Sequence, residues 1–218
     1  SSNNIVYYFG GHNNQACDDK SSSLHNLLSI ISPRFFTIAL NIGRHGSHSA
    51  YSADPVLNTF MDQFENAPPA EFNNIFSVIE GKIIEQIENR SLLNRPGRTN
   101  VSRSIIVFSG GYDAFNKLYD IQDGAMFSPD GSVISGIGFL DSMYSRSANR
   151  KITRLARDSG GNIKVMGVHN ASVRPRGDRA KDAFDTNLRN AGGYTVRTRE
   201  SHGSIPAEYI NTVIANIV

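Results

Sequence analysis

Short apolar runs alternate with longer amphipathic ones along this chain, the pattern of a parallel sheet covered by helices. The runs that predict strands are NIVYYF (4–9), RFFTIAL (34–40), RSIIVF (103–108), VISGIGFL (133–140), NIKVMGV (162–168) and YTVRT (194–198). Between the first two, SSSLHNLLSII (21–31) predicts a helix opened by serine caps. The longest helical stretch is 69–93, where Phe72, Ile75, Phe76, Ile79, Ile83, Ile84 and Ile87 recur three or four residues apart and form one buried face. Further helices are predicted over 111–119, 147–158, 178–191 and 206–217. Strands that are apolar throughout, such as SIIVF, need cover on both sides, because a strand with one wet face alternates. The expected fold is therefore α/β, a doubly wound, mostly parallel sheet with helices on both faces.

Length and composition narrow this picture. A chain of 218 residues is long enough to bury a substantial core, and with no internal repeat and no linker it predicts a single domain over 1–218. The segment NRPGRTN (94–100) reads as a helix-ending loop. The formal net charge is +2, and basic residues do not join aromatics in the stripe that a nucleic-acid surface needs. Arg146, Arg150, Lys151, Arg154 and Arg157, at helical spacing, read as a solvated face, and Arg174, Arg176 and Arg179 as a loop. No nucleic-acid partner is expected. The one cysteine, Cys17, cannot form an internal disulfide and carries no compartment signal. No apolar run has membrane-spanning length. The chain begins SSNN rather than with Met, which leaves its localisation open, with a secreted or excised domain among the readings.

In an open parallel sheet, functional groups collect beyond the carboxyl ends of the strands. The first predicted strand is followed by GGHNN, the second by NIGRHGSHSAYSADP, the third by SGGYD, the fourth by DSMYS and the last by RESHGSIP. A serine, an aspartate and a histidine thus stand at strand ends in that chain order. Serine, acid, histidine is the order of the α/β-hydrolases, where other serine hydrolase folds use other orders. The segments FGGH, SGGY, FLDSMY and SHGSIP resemble that superfamily, and SGGY followed by LDSMY resembles its small bacterial esterase-like members. The resemblance covers nearly the whole chain, as a trimmed core whose first strand matches the family's third.

The resemblance implies that Ser109 is the nucleophile at the elbow, with Gly110 and Gly111 removing side-chain clashes. Asp141 is then the acid that orients the base, and His202 the base that takes the serine proton and returns it to the leaving group. Backbone N–H groups of Gly110 and of Gly11 or His12 would form the oxyanion hole. Val107 stands where the first glycine of the usual G-x-S-x-G would be, so the expectation is a wider elbow or a less strained serine. Tyr112, His45, His48 and Tyr144 are candidate substrate contacts. The polar loop 41–55 and the lack of a broad apolar lid favour a small or polar acyl substrate, such as an esterified glycan or cell-wall component. No cofactor or metal is expected.

Other readings stand beside these. Ser109 can be a plain turn residue, Asp141 the cap of the following helix, and His202 a surface histidine beside a glycine turn. His45 and His48 with Asp54 suggest a metal, without a matched carboxylate spacing. Asp113 suits the helix N-terminus as a dipole partner. His169, after the fifth strand, is the alternative base, and Asp178 and Asp185 are alternative acids. At the level of function the alternatives are an amidase or peptidase using the same triad, and a non-catalytic binding module on the same fold.

Overall fold

The computed structural model describes residues 4–10, 36–40, 78, 81, 82, 85, 89, 102–112, 115, 119, 133–142, 146–171 and 178–218. Among the described residues there are six strands: β1 (Asn4–Phe9), β2 (Phe36–Leu40), β3 (Ser102–Phe108), β4 (Ile134–Leu140), β5 (Lys164–Asn170) and β6 (Tyr194–Thr198). Three helices, α1 (Arg146–Asp158), α2 (Asp178–Asn190) and α3 (Ile205–Ile217), follow β4, β5 and β6 in turn. All strands pair in parallel, in the order β2-β1-β3-β4-β5-β6. The chain steps outward from β1 to β2, then crosses back over β1 to β3 and proceeds outward the other way. The reversal opens the sheet between the carboxyl ends of β1 and β3, the usual place for a ligand crevice.

Strand alternation divides the core in two. Ile5, Tyr7 and Phe9 of β1, Ile105 and Val107 of β3, and Ile137 and Phe139 of β4 point to the face covered by Ile152 and Leu155 of α1 and Phe184 and Leu188 of α2. Val6 and Tyr8, Ile106 and Phe108, Leu140, Met166 and Val168 point to the other, covered by α3. Both faces of the central strands are dry, which explains their unbroken apolar runs. Each fully buried Ile or Phe adds about 1.5–3 kcal/mol relative to exposure. Residue 115 is helical, and its Phe ring meets Phe9 and Phe139 edge-on at 6.5 and 5.5 Å. Residues 78, 82, 85 and 89 are helical and exposed; this stripe is the solvent side of the predicted helix 69–93. The predicted helix 21–31 lies outside the described residues.

Helix α3 buries Ile205, Pro206, Ile210, Val213, Ile214 and Ile217, the three- and four-residue rhythm of a single face. It lies on β4 and β5, and β4 admits it by having no side chain there. A Cβ on Gly136 would stand 1.9 Å from the carbonyl oxygen of Ile217, and one on Gly138 would stand 2.3 Å from Cγ1 of Val213. The exposed face of α1 carries Arg150, Arg154 and Arg157, and Arg154 Nε bonds Asp158 at 3.3 Å, as a solvated charged face requires. No helix among the described residues is long and apolar enough to cross a membrane.

The close seat of α3 yields a stability prediction. Gly136→Ala should destabilise the protein by about 1–3 kcal/mol, because the helix must lift or tilt to admit the methyl group. Gly81→Ala, at a helical position with open space around it, should instead stabilise by about 0.5–1 kcal/mol. Urea unfolding of the two variants checks both signs.

Candidate active site

Three strand ends supply the site. Beyond β3 the chain turns at once through a single 3₁₀ turn, Ser109–Gly111, and continues as helix at residue 112. Ser109 has φ 51°, in the left-handed region that a non-glycine residue rarely occupies. A Cβ on Gly111 would lie 2.3 Å from the carbonyl oxygen of Phe9 and 2.7 Å from that of Gly10. The turn is thus pressed against the end of β1, and glycine is required at 111. Val107 does not relax it: the side chain is fully buried in the core, where the strand backbone and not the elbow sets its place. The less strained serine expected from Val107 is therefore not what forms, since Ser109 keeps its left-handed φ.

Asp141 follows β4 with φ 42°. Its N–H donates to the carbonyl of Val168 at 2.7 Å, extending the β4–β5 ladder one residue past the strand. This roots a nearly fully buried carboxylate at the sheet's carboxyl edge. Oδ1 accepts from the backbone N–H of Asn170 at 3.3 Å. Oδ2 is 2.7 Å from Nδ1 of His202. The next residue, Ser142, lies outside any helix, so Asp141 does not stand as a helix N-cap.

His202 stands in the short connection from β6 to α3, and its ring lies over Phe108 with centroids 4.8 Å apart and planes 27° apart. The side chain is 46% exposed, so one edge of the imidazole faces solvent while the other is held. A carboxylate only accepts, so Nδ1–H is the donor to Asp141; in the neutral imidazole Nε2 then carries no proton and accepts from the hydroxyl of Ser109 at 2.9 Å. The structure brings Ser109, His202 and Asp141 into one chain of hydrogen bonds. Among the described residues, Ser109 and Asp141 are the only non-glycine positions with positive φ. Strain of this kind concentrates where a side chain has been placed for a purpose.

The remaining candidates separate. Gly110 lies in the turn, its N–H following the serine directly. Tyr112 packs on the core cluster, its ring 5.8 Å from that of Phe115. Gly11, His12, His45, His48, Asp54, Asp113 and Tyr144 lie outside the described residues. His169 is not beyond the fifth strand, as expected, but within it: β5 continues to Asn170 because His169 and Asn170 still pair with Arg197 and Thr198 of β6. It is fully buried and packs edge-on against Phe184 of α2 at 5.3 Å, on the face opposite Phe108 and His202. Alternation along β5 therefore removes it as the base. Asp178 opens α2.

Asp185 belongs to a different cluster, which the sequence reading missed. It is 1% exposed, with Oδ1 3.2 Å from Nε2 of His169. Arg197 Nε donates to its other oxygen at 2.6 Å and also reaches Asp182. Burial pushes the Asp185 carboxyl up, but the contacts with His169 and Arg197 outweigh it and hold the group below the usual carboxylate range. The Arg197 guanidinium, bonded to Asp185, is held above its ordinary value. The available signal was the position of Asp185 beside Phe184 on the apolar stripe of α2. No group of three or more His, Cys, Asp or Glu side chains able to hold a metal occurs among the described residues.

A scan against protein-family models finds no match, and searches of curated proteins and of solved structures find none either.

Two predictions follow from this geometry. A depressed carboxyl contributes stability above its ordinary value, near 3.8, and loses it as pH falls through the folded value. Asp185→Asn should therefore destabilise by about 3 kcal/mol at neutral pH, and the gap to the parent should narrow only in acid, below about pH 4. Denaturant titrations at several pH values read this directly. At Ser109, glycine should be more stable than alanine by about 1 kcal/mol, because only glycine meets φ 51° without penalty. Melting of the two variants side by side gives the difference.

Proposed function

We propose that this chain is a serine hydrolase that cleaves a carboxylic ester or related acyl bond through an acyl-enzyme, on the α/β-hydrolase fold its sequence resembles. The supporting observation is the relay from Ser109 Oγ through both ring nitrogens of His202 to Asp141, with separations of 2.9 and 2.7 Å. A free serine hydroxyl is a weak nucleophile, and a base already aligned on its proton is what chemistry at this position needs.

Ser109 Oγ attacks the acyl carbon as its proton passes to Nε2 of His202. Asp141, nearly fully buried and bonded to Nδ1, stabilises the imidazolium and keeps the ring in the tautomer that accepts at Nε2. The tetrahedral oxyanion is received by the N–H of Gly110 and by the backbone after β1, at Gly11 or His12. Collapse expels the alcohol, which takes the proton back from Nε2. Water, deprotonated by the same nitrogen, then attacks the acyl-serine and regenerates Ser109. The reaction uses no metal or cofactor. The polar sequence of residues 41–55, which lie outside the described residues, favours a small or polar acyl group, such as a glycan-linked ester.

With a chromogenic short-chain ester as substrate, Ser109→Ala should fold normally and lose at least about a thousandfold in kcat. Asp141→Asn should lose turnover strongly at nearly unchanged melting, because asparagine tolerates the left-handed backbone but cannot stabilise the imidazolium. A chelator should leave the rate unchanged. Ester hydrolysis that survives in Ser109→Ala, or that disappears with chelation and returns with a divalent ion, overturns the proposal.

A further inference from the structure

His202 reaches Ser109 only if its short connection stays in place, and that connection leaves the sheet at an edge. The β5–β6 ladder ends at the pair Asn170 and Thr198. Past it, the N–H of Ala171 donates to the carbonyl of Thr198 at 2.6 Å, and the N–H of Glu200 folds back onto Oγ1 of Thr198 at 3.1 Å. One side chain spans the remaining gap: the Nδ2 amide of Asn170 donates to the carbonyl of Glu200, two residues before His202. The backbone N–H of the same residue donates to Oδ1 of Asp141 at 3.3 Å. Asn170 therefore touches both the segment that carries the imidazole and the carboxylate that binds it. On the far side the connection is anchored by Ser204, whose hydroxyl bonds the carbonyl of Ser201 at 3.0 Å, and by α3.

We infer that Asn170 is a positioning residue, whose side-chain amide holds the 199–203 connection so that His202 bridges Asp141 and Ser109. The inference rests on the hydrolase reading. Asparagine suits the place chemically. It supplies a donor to a backbone carbonyl, whereas aspartate would set a carboxylate against that carbonyl and beside Asp141. The backbone N–H to Asp141 survives any substitution except proline, so removing the side chain tests the amide alone. A displacement of His202 by a fraction of an ångström weakens proton transfer without changing the acyl pocket.

The test uses a fluorophosphonate, which forms a phosphorus–oxygen bond to Ser109 Oγ as fluoride leaves and the serine proton passes to His202. It is combined with turnover of a short-chain chromogenic ester and the downfield proton resonance of the Nδ1–H bond to Asp141. Parent protein labelled at Ser109, and Ser109→Ala unlabelled, support the underlying hydrolase reading. Asn170→Ala, and Asn170→Ser as a second variant of smaller change, should then label about tenfold to a hundredfold more slowly. Their kcat should fall with KM unchanged, and the downfield resonance should broaden or vanish while melting stays cooperative. Labelling, kcat and resonance equal to the parent's in either folded variant overturn the role of Asn170 and leave the hydrolase reading standing. Failure of the parent itself to label at Ser109 sinks the hydrolase reading, and the Asn170 inference with it.

Discussion

Helix α3 rests on β4 at the distance of bare backbone, with the carbonyl of Ile217 occupying the space a side chain on Gly136 would fill. That contact fixes where β6 must hand over to α3, and so where the intervening residues cross the carboxyl edge of the sheet. Phe108, the last residue of β3, points to the same face as α3 and supplies the flat surface on which the His202 ring lies. One residue later the chain presents Ser109. The imidazole is thus confined from below by an aromatic ring, laterally by Asp141, and along the chain by a helix that cannot slide. A larger residue at 136 or 138 would raise the helix, and the ring would lose its register with the serine hydroxyl before any residue of the site had changed.

Among the described residues, two aspartate–histidine pairs occur at the carboxyl side of this sheet, and the pleat assigns them opposite fates. Asp141 and His202 meet on the α3 face with the imidazole half open to solvent. His169 and Asp185 meet on the α1–α2 face, essentially without exposure. The second pair is closed off by Phe184 and tied down by Arg197, which bonds Oδ2 of Asp185 while Oδ1 faces Nε2 of His169. It joins β5, α2 and β6, the three elements that support Asn170 and the start of the His202 connection. Removing Asp185 is costly because His169 stays buried without its facing carboxylate and Arg197 keeps only Asp182.

Much of this was legible in the chain. Strands buried on both faces leave continuous apolar runs, and each strand boundary falls within two residues of its sequence expectation. β5 is displaced at both ends, expected over 162–168 and observed over Lys164–Asn170. Hydrophobicity does not mark its last two residues, because His169 and Asn170 are polar and are kept in the strand by pairing with β6. That slip placed His169 beyond the sheet and made it a rival base. Serine, aspartate and histidine at strand ends were visible because turn chemistry punctuates the apolar runs. Arg197 was not, since a basic residue in an edge strand ordinarily points to water; its bond to Asp185 depends on α2 lying across that strand.

Backbone strain adds a consideration independent of the sequence pattern. Left-handed φ costs a non-glycine residue about 1–2 kcal/mol, and glycine would make either turn at no such cost. The chain has glycines nearby, at 110 and 111 beside the serine and at 136 and 138 within β4, yet Ser109 and Asp141 themselves occupy the strained positions. Each is held there by its surroundings. The elbow is pressed onto the carbonyls of Phe9 and Gly10, while Asp141 is fastened by its N–H to Val168 and by Asn170 to its carboxylate. A turn alone does not require a hydroxyl or a carboxylate at these points. What does require them is the imidazole between them, which takes a hydrogen bond from one and gives a hydrogen bond to the other.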